Sequence, residues 1–254
     1  MLVRFHFLGV LDDFLPKPQR GCPRDVELVT TVTLKHAIEA LGVPHTEIGM
    51  VRVNGKPAGL EDRLEEGAEV RVHPVDASAM PPGELRFIAD AHLGALAHRL
   101  RMAGFDTLFR NDYADPEIAA IAKHEQRIVL TRDRALLMHK AIARGCYVHA
   151  LKPDAQFHEL AARLPLAPAC RPFSRCLECN APLLPVPKAD VLAHLPESVR
   201  LKHERFTRCE GCGRVFWEGS HWRRMRGLLS AVLDCAGSNV QAGRPAASDA
   251  IIRD

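Results

Sequence analysis

The chain of 254 residues contains no apolar run of about 18 residues or more, so no membrane-spanning helix and no membrane partner are expected. No secretory leader is expected either. The start, MLVRFHFLGVLDDFLP, does not run from basic to apolar and carries acids at Asp12 and Asp13. The expected location is therefore cytoplasmic, where thiols stay reduced and Cys pairs point to metal rather than to disulfides. Net charge is scarce too: +3 over the whole chain places no bulk demand for a polyanion. What remains is an ordinary globular composition, 47% hydrophobic and 26% charged, with room for one large domain or two to three small ones.

The most specific chemistry is in two Cys-x-x-Cys pairs, Cys176/Cys179 and Cys209/Cys212, separated by 29 residues. Each pair has the spacing of a knuckle, a tight turn that points two thiolates at one ion. Four thiolates make a closed tetrahedral zinc site, which holds structure and does no chemistry. The gap is longer than the usual 15–20 residues, and Lys188 to Leu192 can form a small helix within it. The other four cysteines, Cys22, Cys146, Cys170 and Cys235, are scattered. They read as small buried or loop residues.

Charge is concentrated near the second pair. Leu201 to Arg226 holds seven Lys/Arg against three Glu. That excess suits a phosphate backbone, although a charge run can equally be a solvated face. Arg208, Arg214 and Trp222 lie here as candidates for holding phosphates and stacking on single-stranded bases. The competing reading makes the two tryptophans the small core of a zinc ribbon. Ser220 can cap a final helix to about Leu233, and residues 235–254 read as a disordered tail.

The first segment, residues 1–78, alternates as strand, strand, helix, strand, strand. Leu2, Phe5 and Phe7 begin a strand, and Val26 to Val32 reads as a second. Thr33 caps a helix over Leu34 to Leu41, Gly49 to Val53 is a strand turned by Asn54-Gly55, and Glu69 to Val75 closes the unit. This is a β-grasp plan. The stretch VRVNGKP…AEVRVHPV resembles the ubiquitin-like sulfur carriers of the ThiS and MoaD type. Those carriers end in Gly-Gly, whereas this chain runs on through Pro81-Pro82-Gly83. A module for binding or spacing, with a protein partner, is the better expectation.

Residues 84–166 alternate strands with helices of about ten residues, which predicts a parallel sheet covered by helices on both faces. The strands are Leu85 to Ala89, Phe105 to Phe109, Arg127 to Leu130 and Cys146 to Ala150. Helices are expected from Leu93, from Asp115-Pro116 with Asp115 as N-cap, over Arg134 to Ala143, and over Asp154 to Leu164. Ligands of such sheets sit beyond the carboxyl ends of the strands. Asp90 and Asp133 end strands there, and Asp112, Asp115 and Glu117 follow a third. Converging carboxylates repel one another and so need a cation. Oxygen ligands favour magnesium or manganese, which can activate water at a phosphodiester. The competing explanation for each acid is turn or cap chemistry. Arg132 and Arg134 flank Asp133 and can hold a phosphate or form a solvated loop pair.

ADAHLGALAHRLRMAGFDTLFRNDYADPEIAAIAKHEQRIVLTRDRALL, SRCLECNAPL and RCEGCGRVFWEGSHWRRM together resemble the PIN-like nuclease domain of the Mut-seven C-terminal RNase family. A ubiquitin-like domain ahead of it fits that family as well. The resemblance implies an α/β protein in three parts: an N-terminal β-grasp domain, a central PIN-like parallel α/β/α domain, and a zinc ribbon over residues 167–234. It implies a metal-dependent endoribonuclease acting on RNA. The acid positions fall on Asp90 and Asp133, with Asp112, Asp115 or Glu117 between them, and Asp90, Asp115 and Asp133 are the expected magnesium or manganese ligands. The rival expectation is a non-catalytic RNA-binding or adaptor protein.

Overall fold

The computed structural model describes residues 1–76, 85–220 and 222–230. The stiff linker expected at Pro81 to Gly83, the tail over residues 235–254 and Cys235 lie outside the described residues. No helix among the described residues is long and apolar enough to cross a membrane.

The N-terminal sheet is built from β1 (Leu2–Phe7), β2 (Arg24–Glu27), β3 (Ile48–Val53), β4 (Lys56–Ala58) and β5 (Glu69–Pro74), in the order β2-β1-β5-β3-β4. Its first and last long strands, β1 and β5, run parallel at its centre. Val3, Phe5, Val70 and Val72 alternate toward one face and meet Leu34, Ala37 and Ile38 of α1 (Leu34–Ala40). Each fully buried side chain of this size stabilises by roughly 1.5–3 kcal/mol. Thr33 caps α1 through the His36 amide at 3.2 Å. Asn54 and Gly55 both take positive φ, 49° and 80°, and so make the two-residue turn between β3 and β4. The second strand is shorter than the β-branched run predicts and stops at Glu27.

The central sheet is wholly parallel. Its order is β7-β6-β8-β9, from β6 (Arg86–Ala89), β7 (Asp106–Phe109), β8 (Ile128–Thr131) and β9 (Gly145–Tyr147). Side chains alternate between two cores. Phe87, Ala89 and Leu130 face α2 (Gly94–Met102) and α5 (Pro153–Arg163). Ile88 and Val129 face α3 (Asp115–Glu125) and α4 (Arg134–Leu137). The chain leaves β6 for β7 on one side and then crosses to β8 on the other. The crevice between β6 and β8 is therefore the topological switch point.

Two expected helix details differ. α3 has Ala114 at its N-cap, so Asp115 is the first helical residue and not the cap. α4 is one turn long rather than ten residues. Beyond it the His139 ring accepts the Ala141 amide at 3.2 Å, an amide that a continuing helix would give to the Leu137 carbonyl, and buried Ile142 turns into the core.

The third sheet has the order β10-β11-β12, from β10 (Leu183–Val186), β11 (Phe206–Cys209) and β12 (Val215–Trp217). The insert between β10 and β11 carries α7 (Lys188–Val191), as the sequence predicts, and a further helix, α8 (Glu197–Lys202). A short helix, α6 (Leu166–Ala169), lies in the proline-rich connection from α5. Val191, Leu195 and Phe206 form the ribbon's small core, with Trp217 packed against it. Residues 222–230 are helical.

Both flanks are bolted to the central domain. On the N-terminal side Glu47, 1% exposed, pairs with Arg163 of α5 and accepts the Tyr147 amide. On the ribbon side the chain passes against the end of α2, where Gly104 has φ +93° and a Cβ would lie 1.9 Å from the Arg171 carbonyl. Only glycine fits that approach.

Candidate functional site

The acids at the carboxyl edge divide into a linked pair and an outlying group. Asp90 follows β6 and is half-buried. Its Oδ1 accepts the Ala91 amide at 2.6 Å and its Oδ2 accepts the Thr131 hydroxyl at 2.7 Å. Thr131, the last residue of β8, is 0% exposed. Its Oγ1 also accepts the Asp133 amide at 2.9 Å. The Asp133 carboxylate caps α4 through the Ala135 amide at 2.7 Å. One buried hydroxyl thus ties together the acids on either side of the switch point. Sequence reasoning missed Thr131. Its signal was a hydroxyl residue closing a fully apolar strand, two positions before the acid.

The outlying acids lie after β7. Arg110 holds both oxygens of Asp112, at 2.9 and 2.7 Å, and comes within 3.5 Å of Glu117. Its hydrogen bond keeps the Asp112 carboxyl below the usual range. The same guanidinium stands 4.8 Å over the Tyr113 ring. Asp115 is exposed, and no described residue bonds to it. Among the described residues no three carboxylates lie within 4.8 Å of one another. The structure therefore links the Asp90 carboxylate to the Asp133 backbone through Thr131 but does not gather Asp115 with them. Magnesium is commonly held by one or two carboxylates with water completing its shell, so the pair suits such an ion.

The two flanking arginines separate. Arg132 is exposed and unengaged among the described residues, beside the pair. Arg134 turns away. Its Nη1 donates to the Phe14 carbonyl at 2.8 Å, and its guanidinium lies 5.1 Å from the Phe14 ring centre and 5.7 Å from that of Tyr147. The guanidinium is thus engaged by the N-terminal domain, which sets Arg134 apart from Arg132.

The cysteines assemble completely. The Sγ atoms of Cys176, Cys179, Cys209 and Cys212 all lie within 4.8 Å of one another. A zinc tetrahedron with bonds of about 2.3 Å requires sulfurs about 3.8 Å apart. The observed Cys176–Cys212 separation is 3.7 Å and the Cys179–Cys209 separation is 3.2 Å, so the cluster fits zinc. The two knuckles share one backbone plan. The Cys176 amide donates to the Ala181 carbonyl at 2.8 Å, and the Asn180 amide to the Cys176 carbonyl at 3.0 Å. In the second knuckle the Cys209 amide donates to Arg214 at 2.9 Å, and Gly213 to Cys209 at 3.0 Å. Asn180 and Gly213 occupy equivalent places with φ +68° and +71°.

Asn180 also joins the first knuckle to the sheet. Its Oδ1 accepts the Thr107 amide at 2.9 Å, and its Nδ2 donates to Asp106 at 2.7 Å. Buried Arg101 donates to the carbonyls of Leu177 and Glu178 at 2.9 and 2.8 Å. Burial pushes the Asp106 carboxyl up, but hydrogen bonds from Arg127 and Asn180 and the charges of Arg127 and Arg175 outweigh it and hold it below its usual range. This polar network sits at the start of β7, so the zinc cluster is fixed to the amino edge of the sheet, away from the acid pair.

The ribbon's aromatic and basic residues are spread around a cavity of about 540 Å³ whose lining includes Phe173, Phe216, Trp217, Trp222, Arg175 and Arg205. Trp217 belongs to the ribbon core, while the Trp222 ring stands 5.0 Å from Phe173 with Arg226 over it at 5.3 Å. Arg208 is exposed on β11. Arg214 pairs with Glu178 at 3.2 Å.

A family model described as Mut7-C RNAse domain matches residues 85–229, and one described as Mut7-C ubiquitin matches residues 1–80. No curated protein and no solved structure matches the chain.

Proposed function

The chain belongs to the Mut7-C RNAse family, with a Mut7-C ubiquitin domain ahead of the nuclease domain, and from that premise we propose a metal-dependent endoribonuclease that cuts single-stranded RNA. The observation that carries this reading is the Asp90–Thr131–Asp133 link at the switch point between β6 and β8. Asp90 and Asp133 are the residues that hold magnesium or manganese, and Asp115 is the nearest uncommitted acid of the outlying group. Such an ion neutralises phosphodiester charge and lowers the pKa of water, which is the chemistry that hydrolysis requires. The chain's own part is to fix the Asp90 carboxylate and the Asp133 backbone by a buried hydroxyl and to offer Arg132 for a phosphate. Zinc on Cys176, Cys179, Cys209 and Cys212 is structural, and the ribbon presents Arg208, Arg214 and Trp222 to the RNA strand.

The spread of the acids, with no three carboxylates together, favours a second reading: a non-catalytic RNA-binding protein. The deciding experiment is cleavage of single-stranded RNA with added manganese by the wild type, Asp90→Asn and Asp133→Asn. The nuclease reading expects each variant to lose about 10²-fold or more in rate with RNA affinity kept. Binding without cleavage by the wild type selects the second reading, and equal cleavage by all three chains removes the assigned acids.

A further inference from the structure

We infer that Arg134 is a positioning residue, through which the N-terminal domain holds Asp133 and so forms part of the acid site in cis. The inference rests on the reading of Asp133 as a metal-holding acid. Four observations lead to it. First, Asp133 is the cap of a helix only four residues long, and a single turn cannot hold itself in place. Second, the next residue, Arg134, is gripped from outside the central domain. Phe14 supplies both the carbonyl at 2.8 Å and one of the two rings beneath the guanidinium. Third, Gly42 of the N-terminal domain, with φ +92°, closes on the same group: a Cβ there would lie 3.4 Å from Nη1. Fourth, the surrounding interface is a built one. Glu47 pairs with Arg163, His45 meets the Ile142 carbonyl at 2.9 Å, and Phe14 packs edge-on against Tyr147 and His149 at 5.2 Å each.

A continuous line of contacts therefore runs from Phe14 through Arg134 to Asp133, then through Thr131 to Asp90. Within the central domain the turn is fixed by buried Leu136 and Leu137, which anchor its far end. The end that carries the acid is held by Thr131 at the Asp133 amide and, through Arg134, by the other domain. A module that looks like an outboard adaptor in sequence is, on this geometry, a support of the site from behind, acting through Arg134.

The test compares the full chain with Arg134→Ala, Arg134→Lys and Phe14→Leu, with Asp133→Asn as the reference for a lost acid. Exchange of the Ala135 amide, followed by NMR, reads the cap directly and needs no cleavage. The expected result is exchange about tenfold faster in Arg134→Ala, with β6 and β8 amides unchanged. In manganese-dependent cleavage, kcat falls about tenfold while KM stays within about twofold. Arg134→Lys keeps a cation over the rings and recovers part of both, and Phe14→Leu moves both the same way by less. Unchanged Ala135 exchange in Arg134→Ala overturns the inference. So does a rise in KM with kcat intact, which would make Arg134 an RNA contact. If Asp133→Asn cleaves like the wild type, or if nothing cleaves, the nuclease reading fails, and Ala135 exchange still decides whether the N-terminal domain holds the cap.

Discussion

The thiol cluster and the acid edge are both sets of metal-type ligands, yet they are built in opposite ways. Each half of the thiol cluster is made by a local turn, with the same two backbone bonds and the same left-handed fifth residue. All four sulfurs already lie within 4.8 Å of one another. The acids come from three separate strand ends, and only two of them are linked, through a third residue's hydroxyl. Four soft ligands in short loops close a site from nearby sequence. Hard ligands spread along a sheet edge depend on topology, on neighbouring cations such as Arg110, and on what holds each strand end.

The difference can be tested in order of expected effect. Cys209→Ser, or zinc removal by a chelator, takes away a binding free energy of about 10–16 kcal/mol. Amides of β10, β11 and β12 should then exchange rapidly, while those of β6 and β8 stay protected. If the ribbon stays protected without zinc, its core alone supports it and the comparison breaks. Thr131→Val leaves the Asp133 amide unpaired and frees Asp90, at a cost of about 1–3 kcal/mol. Cleavage should drop by about 10–100-fold, as for loss of an outer partner of a metal ligand. A valine variant as active as the wild type would show that the linked pair is not the working unit.

Asn180→Ala removes two bonds to the sheet and places a Cβ residue without a local partner at φ +68°. We expect about 2 kcal/mol of destabilisation in thermal melting. Asn180→Gly relieves the backbone part only, so the gap between the two variants measures the docking bonds. The smallest effect is acid sensitivity. Asp106 is held below its usual range, so its stabilisation is complete above the unfolded carboxylate value of about 3.9. That contribution is lost as pH falls through the still lower folded value. Protection of the Thr107 amide, followed from pH 5 downward, should persist to below about pH 4. In Asn180→Gly, which lacks one of the bonds that lower the Asp106 pKa, the acid-induced loss of thermal stability should begin at a higher pH than in the wild type.

Much of the fold was legible because it is periodic. Alternating apolar residues marked β1 and β5, Asn54-Gly55 marked its turn, and strand–helix alternation marked the parallel sheet. Helix ends were less legible where another domain intervenes. The run after Arg134 has helical composition, but the His139 ring takes the Ala141 amide, Ile142 turns into the core against His45, and the helix stops after one turn. Arg132 and Arg134 look equivalent beside Asp133, yet one is exposed and the other is held by Phe14. Nothing in the spacing of a flanked acid distinguishes them, because the deciding partner is 120 residues away.

The sequence by itself determined the four cysteines that cluster, the order of the β-grasp, α/β and ribbon parts, and the acids eligible for a hard cation. Those follow from local spacing and side-chain chemistry, which do not depend on distant partners. Only the tertiary structure decided that Asp90 and Asp133 are tied through Thr131, that Arg110 occupies Asp112, and that the zinc cluster is bolted to the amino edge by Asn180. The Thr131–Asp90 and Thr107–Asn180 bonds are long-range, and even the local Arg110–Asp112 pair joins groups with several possible partners. The choice among partners is fixed when burial removes water as the competing one.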